Sequence, residues 1–139
     1  MPLYRCTVSE GSTTYEQRSQ IAKEVTRIHC EVTGAPPMFV HTFFIEDRDG
    51  MLADGTRAVV IGSIRAGRTD AQKVRIASEI KSAFTRICRM KPDESMVVTV
   101  DMPARWVMEG GAIMPEPGEE ADWLAKHGQV SAPSAHERN

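Results

Sequence analysis

An internal repeat constrains this chain more than any other feature of its sequence. The segment TRIHC at 26–30 recurs as TRICR at 85–89, which is an offset of 59 residues. The same shift places the β-type run at 38–45 on a second β-type run that begins at 97–104. Each half therefore predicts the order strand, helix, strand. A helix between two strands lets them run parallel in one sheet, with the usual right-handed crossover.

Local signals predict two helices of similar construction. The spacing of Thr13 and Glu16 predicts a capping box at the start of the first helix. Gly34, which two prolines follow, predicts its end. Thr69 and Gln72 predict the start of the second helix in the same way. Apolar residues recur at helical period in both segments, as in Ile21, Val25, Ile28 and Val32, then Ile76, Ile80, Phe84 and Ile87.

We therefore predict an α+β fold of two tandem β-α-β units, which form one four-stranded mixed sheet with two helices on one face. The turn signals in 46–55 predict a small hairpin or flap between the units. The segment 103–111 predicts a short helical turn ending at its glycine pair, and EEADWLAKHG predicts a short C-terminal helix. Residues 1–125 are predicted to form one domain, and the polar tail 126–139 is predicted to be disordered.

Two helices leave the other face of the predicted sheet open, and a chain of 139 residues has no third layer to cover it. An apolar sheet face has to be buried, so we expect the protein to oligomerise.

Composition excludes several classes of partner. A net charge of −2 supplies no basic surface for nucleic acid. No apolar run approaches the ~20 residues that a membrane span needs. Cys6, Cys30 and Cys88 are widely spaced and form no CxxC pair, so we expect a reduced cytoplasmic protein without a zinc site. No metal ion or other cofactor is predicted.

The residue that follows Met1 is the first candidate for chemistry. If Met1 is removed, Pro2 becomes a free secondary amine with an ordinary pKa of about 8. An apolar pocket or nearby cations would lower that pKa and make the amine a general acid or base near neutrality. While Met1 is retained, the Pro2 nitrogen is a tertiary amide without basicity. The alternative is that a Met-Pro start has no functional meaning.

Arg65 and Arg68 are the second candidates, in the segment IRAGRTD. Two guanidinium groups at a strand-to-helix corner can hold a planar carboxylate, and the adjacent helix N-terminus favours an anion there. The alternative is a pair of surface arginines. His29, on the apolar face of the first helix, and Glu109, in MEGG, also admit an ordinary structural interpretation. His41 belongs to no recognisable constellation.

Taken together, these residues resemble the tautomerase superfamily, specifically the group of cis-3-chloroacrylic acid dehalogenase. The resemblance extends from the amino terminus to about Trp123. The segments MPARWVMEGG and MPEPGEE both match the family pattern. The single residues that match are the amino-terminal Pro2, the helix histidine His29, the R-x-G-R pair Arg65 and Arg68, and the water-activating Glu109. One position departs, because Val98 stands where the family dehalogenase has a tyrosine that partners this glutamate.

The resemblance implies a cofactor-independent enzyme that acts on small unsaturated carboxylic acids, and it implies a homotrimer. Arg65 and Arg68 would bind the carboxylate, and His29 would orient or polarise it. Glu109 would activate water for attack at C3, and protonated Pro2 would deliver a proton to C2. The result is hydration or hydrolytic dehalogenation, weakened by the loss of the tyrosine.

Two alternatives stay open. A keto–enol tautomerase of 2-oxo acids would need Pro2 but not Glu109. A non-catalytic α/β oligomer that binds a small ligand would show no dependence on Pro2.

Overall fold

A mixed sheet with two long helices on one face forms the body of the protein. The computed structural model describes residues 1–127. The strand order is β2-β1-β3-β4; β1 and β2 are parallel, β3 and β4 are parallel, and β1 is antiparallel to β3. The predicted fold of two β-α-β units is confirmed. The elements are β1 (Leu3–Ser9), α1 (Tyr15–Thr33), β2 (His41–Asp47), β3 (Ala58–Arg65), α2 (Asp70–Cys88) and β4 (Ser95–Met102).

The two units repeat at a spacing that differs from the predicted one. Thr14 and Thr69 are the equivalent N-caps, and they are 55 residues apart (69 − 14) rather than 59. His29 therefore corresponds to Phe84 rather than to Cys88. The similarity of TRIHC and TRICR gave the wrong offset because the two offsets differ by four residues, which is close to one helical turn of about 3.6 residues. A helix aligned with such a shift still has apolar residues on the same buried face.

Both helices begin with the same capping box. The side chain of Thr14 accepts a hydrogen bond from the backbone N–H of Gln17, and the Gln17 side chain accepts one from the Thr14 N–H. Thr69 and Gln72 repeat the arrangement, as predicted. The predicted pair Thr13 and Glu16 was wrong by one residue, because TTYEQ carries the pattern in two overlapping registers. Gly34 ends α1 in the left-handed conformation, at φ 76°.

One close approach in the core determines where a tyrosine lies. A Cβ atom on Gly62 of β3 would come within 2.5 Å of the Tyr4 ring on β1, so only glycine leaves room for this ring. Tyr4 is fully buried between the sheet and the helices. It packs in the main hydrophobic core with residues from every long element, including Val8, Ile21, Val25, Val60, Ile64, Ile76, Ile80 and Phe84.

The opposite face of the sheet is apolar and exposed. Cross-strand neighbours on it include Phe43 beside Arg5, Ile61 beside Arg5, and Val98 beside Ile61. Six large apolar side chains there are between 39% and 55% exposed, namely Leu3, Phe43, Ile45, Met96, Val98 and Val100. This open sheet face is the surface that the sequence predicted to need a partner.

The remaining segments lie at both ends of the sheet, with the loop after β2 at one end and the segment after β4 at the other. The segment 46–55, predicted to form a small hairpin or flap, forms no hairpin: it is a loop, in which the Asp47 carboxylate accepts the N–H groups of Met51 and Leu52. The predicted helical turn ends at Trp106, and a small hairpin follows it. Gly110 and Gly111 have φ of 58° and 82°, a left-handed conformation that lets the chain reverse direction within two residues. A two-residue strand therefore lies on each side of this glycine pair. These strands are β5 (Met108–Glu109) and β6 (Ala112–Ile113).

The predicted C-terminal helix is present as α3 (Glu120–His127), which runs past the predicted domain end at 125. The predicted disordered tail lies otherwise outside the described residues. Within residues 1–127, none of the helices has the length and apolar character required to cross a membrane.

Candidate active site

The candidate site lies at the sheet edge where β1 and β2 begin and where β3 and β4 end. The register places Leu3 beside His41 on one side and beside Ser63 on the other. Arg65 and Met102 pair at the ends of β3 and β4. This topology brings the amino terminus, the R-x-G-R corner and the segment after β4 to one place.

The amino terminus is buried against the β5–β6 hairpin. Met1 packs with Phe39 and Met114 in a small second apolar cluster, and only 6% of its surface is exposed. Its amino group forms an ion pair and hydrogen bond with the Glu109 carboxylate. The chain described here begins at Met1, so the buried Pro2 nitrogen is an amide.

A second titratable side chain lies beside Glu109. The Nδ1 atom of His41 is 3.9 Å from the Glu109 Oε1 atom. The same nitrogen is 3.0 Å from the carbonyl oxygen of Phe39, which fixes the orientation of the ring. Nothing in the sequence around His41 indicated this position, because β2 and the β5–β6 hairpin are far apart along the chain.

The Arg65 guanidinium is fully engaged by the C-terminal segment. Its Nη1 donates to the Pro115 carbonyl at 2.6 Å, and its Nη2 donates to Glu120 Oε1 at 2.6 Å. The side chain is 1% exposed, and its guanidinium lies 5.7 Å from the centre of the Phe39 ring. Arg65 thus fastens the loop before α3 to the end of β3.

Arg68 is held less completely. Its Nη2 lies 3.8 Å from the same Glu120 oxygen. Its Nη1 donates to the Thr33 carbonyl at 3.4 Å, at the end of α1, where helix carbonyls have no partner within the helix. Its Nε is buried and has no hydrogen-bond partner among the described residues.

His29 lies beneath the arginines as a buried, neutral residue. Its Nδ1 is 2.7 Å from the Tyr4 hydroxyl, and the two rings meet edge to face. Burial, and after it the positive charges on Arg68, Arg65 and the amino terminus, lowers the pKa of His29 to about 3. Burial also raises the pKa of Tyr4. The pair is therefore uncharged at neutral pH.

The same surroundings act on the terminal amine. Burial, and after it the charge on Arg65, lowers the pKa of the Met1 amino group from 8.0 to about 5. Loss of hydration is the larger of these two causes. Burial and Arg65 thus favour the uncharged form of an amine at this edge, while the Glu109 carboxylate favours the charged form.

The structure brings together all five residues that the sequence selected: Pro2, His29, Arg65, Arg68 and Glu109. Val98 is not among them. It lies on the open sheet face of β4, whereas His41, beside Glu109, lies on β2. Three strand spacings of about 4.8 Å separate these two strands, so a side chain at position 98 cannot contact Glu109 of its own subunit.

Sequence reasoning missed two members of the site, His41 and Glu120. Glu120 belongs to the matched segment MPEPGEE, and a buried arginine pair needs a compensating anion. The need for an anion beside Arg65 and Arg68 could therefore have pointed to Glu120 from the sequence. Within the described residues, no group of three or more His, Cys, Asp or Glu side chains is arranged to hold a metal ion.

A family model described as "Putative oxalocrotonate tautomerase enzyme" matches residues 1–128. The chain belongs to this tautomerase family. The crystal structure of N1, a member of the cis-3-chloroacrylic acid dehalogenase family, is 25% identical and superposes with a TM-score of 0.83. The match covers 98% of this chain and 96% of N1. The resemblance to the dehalogenase group of this tautomerase superfamily is thereby confirmed.

Two further solved structures extend the comparison. Native Ps01740 is 33% identical, with a TM-score of 0.71, over 77% of this chain and 99% of that chain. Malonate semialdehyde decarboxylase shares the fold at 20% identity and a TM-score of 0.64, over 78% of this chain and 90% of that chain. No curated protein sequence matches the chain.

Proposed function

We propose that this protein is a cofactor-independent tautomerase of small 2-oxo acids, in which Pro2 becomes the catalytic base after Met1 is removed. The observation that carries this proposal is the environment of the amino terminus. Burial and the charge on Arg65 lower the pKa of the Met1 amino group to about 5, and we expect the same surroundings to lower the pKa of the Pro2 amine. A base must be unprotonated to accept a proton, and a lowered pKa favours that form near neutral pH.

The proposed reaction uses one carboxylate-binding group and one base. Arg68 binds the carboxylate of the enol. The neutral Pro2 amine accepts the proton of the enol hydroxyl as the C2–O bond becomes a carbonyl. The same amine returns a proton to C3, so no atom is gained or lost. His29, which is neutral and fixed by Tyr4, supports the floor of the site beneath the arginine.

Hydration or hydrolytic dehalogenation at C3 is the second candidate, and the position of Glu109 favours it. The Met1 amine occupies the space beside this carboxylate. Removal of Met1 vacates that space, where a water molecule can bind. Glu109 would accept a proton from the water molecule as the water oxygen attacks C3, and protonated Pro2 would supply a proton to C2. A halogen on C3 would then leave as halide and give an aldehyde acid.

The lowered amine pKa supports one of the two candidates over the other. Hydration needs the protonated amine as an acid, whereas tautomerisation needs the neutral amine as a base. The sequence favoured hydration, but the electrostatics of the buried terminus favour tautomerisation near neutral pH.

Assembly into a homotrimer through the open sheet face belongs to this proposal. The face carries a contiguous set of partly exposed apolar side chains, which a monomer rarely leaves in water. The structure of fused 4-OT, which shares the fold at 21% identity, is described as a trimer. The cytoplasmic location stays a prediction from the unpaired cysteines.

The decisive experiment compares two forms of the chain released from a cleavable fusion, one starting at Pro2 and the other at Met1. Enol ketonisation of phenylpyruvate is followed for both. We expect the Pro2 form to be at least about a hundredfold faster, which is the low end for general acid–base catalysis. A Pro2→Ala variant that also lacks Met1 serves as the control, because its terminal alanine keeps a free amine and should retain part of the rate.

Equal rates for the two forms would contradict the catalytic role of Pro2. Binding of a small carboxylate without turnover by either form would support the non-catalytic alternative instead.

A further inference from the structure

The two arginines of the site are not equivalent, and Glu120 is the reason. Both end nitrogens of Arg65 are committed, one to the Pro115 carbonyl and the other to Glu120 Oε1, each at 2.6 Å. The guanidinium has three further N–H donors, but its side chain is only 1% exposed, so a ligand carboxylate could reach them only if the surrounding residues moved. Arg65 is therefore a structural anchor in this protein rather than half of an open carboxylate clamp.

Glu120 is itself held in place as a charged group. Its Oε2 accepts the backbone N–H of Gly118 at 2.8 Å, and its side chain is 15% exposed. Burial acts against its ionisation, but hydrogen bonds from its own backbone, Arg65 and Gly118 outweigh burial and lower its pKa. Its place as the first residue of α3 adds the favourable interaction of an anion with a helix N-terminus.

Arg68, unlike Arg65, has N–H groups that remain available to a ligand. It is 3.8 Å from the Glu120 carboxylate, and its bond to the Thr33 carbonyl is long, at 3.4 Å. Its Nε is buried without a partner among the described residues, which is uncommon in folded proteins. An unfilled donor on a buried guanidinium indicates that an anion belongs there.

We propose that Glu120 determines charge selectivity, so that the site accepts ligands with one carboxylate and excludes those with two. At the arginine pair itself, two guanidinium groups and the Glu120 carboxylate leave a single positive charge, which one ligand carboxylate neutralises. The second carboxylate of a dicarboxylate would lie in a site that already contains Glu109 and Glu120, without a free cation to bind it. Glu120 is thus a specificity-determining residue that acts through Arg65.

This inference names the substrate class of the proposed tautomerase, and it is tested by binding rather than by turnover. Crotonate and fumarate are a matched pair, because both are four-carbon trans acids and they differ in one carboxylate. Calorimetric titration of the Pro2-starting chain with each gives two dissociation constants. We expect crotonate to bind at least about tenfold more tightly, and Glu120→Gln to reduce that preference about tenfold, the size of one charged hydrogen bond.

Two variants make the comparison specific. Glu119→Gln removes the same charge one residue away and should leave the preference unchanged. Glu120→Asp keeps the charge and should keep most of the preference. Thermal unfolding of each variant shows whether the fold survives, and the preference of the unmodified chain is informative even if Glu120→Gln unfolds.

Three results would overturn the proposal. One is a wild-type preference for fumarate, and another is failure to bind either acid. The third is a Glu120→Gln variant that binds both acids more tightly by the same factor. Glu120 would then compete with any ligand carboxylate for the two arginines, without discriminating between one carboxylate and two. A chain that prefers crotonate but turns over no enol would contradict the proposed function and leave this inference intact.

Discussion

The Tyr4 hydroxyl and the Nδ1 atom of His29 lie 2.7 Å apart in the interior, directly beneath the candidate site. Tyr4 extends across Gly62, which has no side chain to block its ring. Neither partner reaches water, so each satisfies the polar atom of the other. The pair therefore links the stability of the sheet to the position of a candidate site residue.

Loss of this hydrogen bond should destabilise the protein measurably. Tyr4→Phe removes only the hydroxyl and leaves the buried Nδ1 of His29 without a partner. We expect the free energy of unfolding to fall by about 1–3 kcal/mol, measured by urea denaturation. Tyr15→Phe is the control, because Tyr15 is 78% exposed and should change stability very little. Equal stability of the two variants would contradict the role of the pair.

The neutral state of His29 predicts a pH dependence of stability. Its pKa in the folded protein is about 3, against 6.5 for an unperturbed histidine. Above about pH 6.5 neither state binds this proton, so the full stability is present. As the pH falls toward 3, the unfolded chain gains the proton first, and stability is progressively lost.

His29→Leu should therefore show a flatter dependence of unfolding free energy on pH between about 3 and 6.5 than the wild type. Titrating carboxylates contribute equally to both proteins and cancel in the difference. His127→Leu, at the exposed end of α3, is the matched control for the same substitution outside the core. Identical slopes for His29→Leu and the wild type would show that the pKa of His29 is not lowered in the folded protein.

Substitution of Glu109 should affect the two candidate reactions differently. Glu109→Gln keeps the size of the side chain but removes the base, so we expect hydration of an alkynoic acid to fall by about a hundredfold or more. Enol ketonisation should change by less than about tenfold, because only Pro2 acts as base in that reaction. Glu116→Gln, in the following loop, provides the control. Parallel loss of both activities would contradict the division of roles.

His41 should support Glu109 in the reaction that uses it. The 3.9 Å between His41 Nδ1 and Glu109 Oε1 suits an ion pair or a bridging water rather than a direct bond. His41→Phe should lower kcat for hydration by about tenfold, with KM little changed, as expected when one positioning contact is lost. His41→Gln keeps a hydrogen-bond donor and should recover part of kcat. An effect confined to KM would assign His41 to substrate binding instead.

The open sheet face should hold the oligomer together. Val98→Asp places a charge in the middle of that face, and an unpaired charge in an interface costs several kcal/mol. We expect light scattering at micromolar concentration to show an assembly for the wild type and a monomer for the variant. Val74→Asp is the matched control, because Val74 is an exposed valine on α2, away from this face. A monomeric wild type would exclude the proposed trimer.

Local patterns by themselves determined the secondary structure and most of the candidate site. Capping residues, a terminal glycine and helical periodicity act within a few residues of each other, so the sequence predicts them directly. The R-x-G-R corner and the amino-terminal proline are local patterns of the same kind. The repeat offset was wrong by four residues, because helical periodicity alone cannot distinguish a segment from itself shifted by one turn.

Only the tertiary structure decided which of these groups interact. Glu120 meets Arg65 across 55 residues of chain, and Glu109 meets the amino terminus across 108. His41 joins them because parallel pairing places the start of β2 beside the start of β1. Such contacts depend on strand order and on the packing of α3, which no short segment encodes. The charge that each group carries follows from that burial, because desolvation acts only once the chain has folded around it.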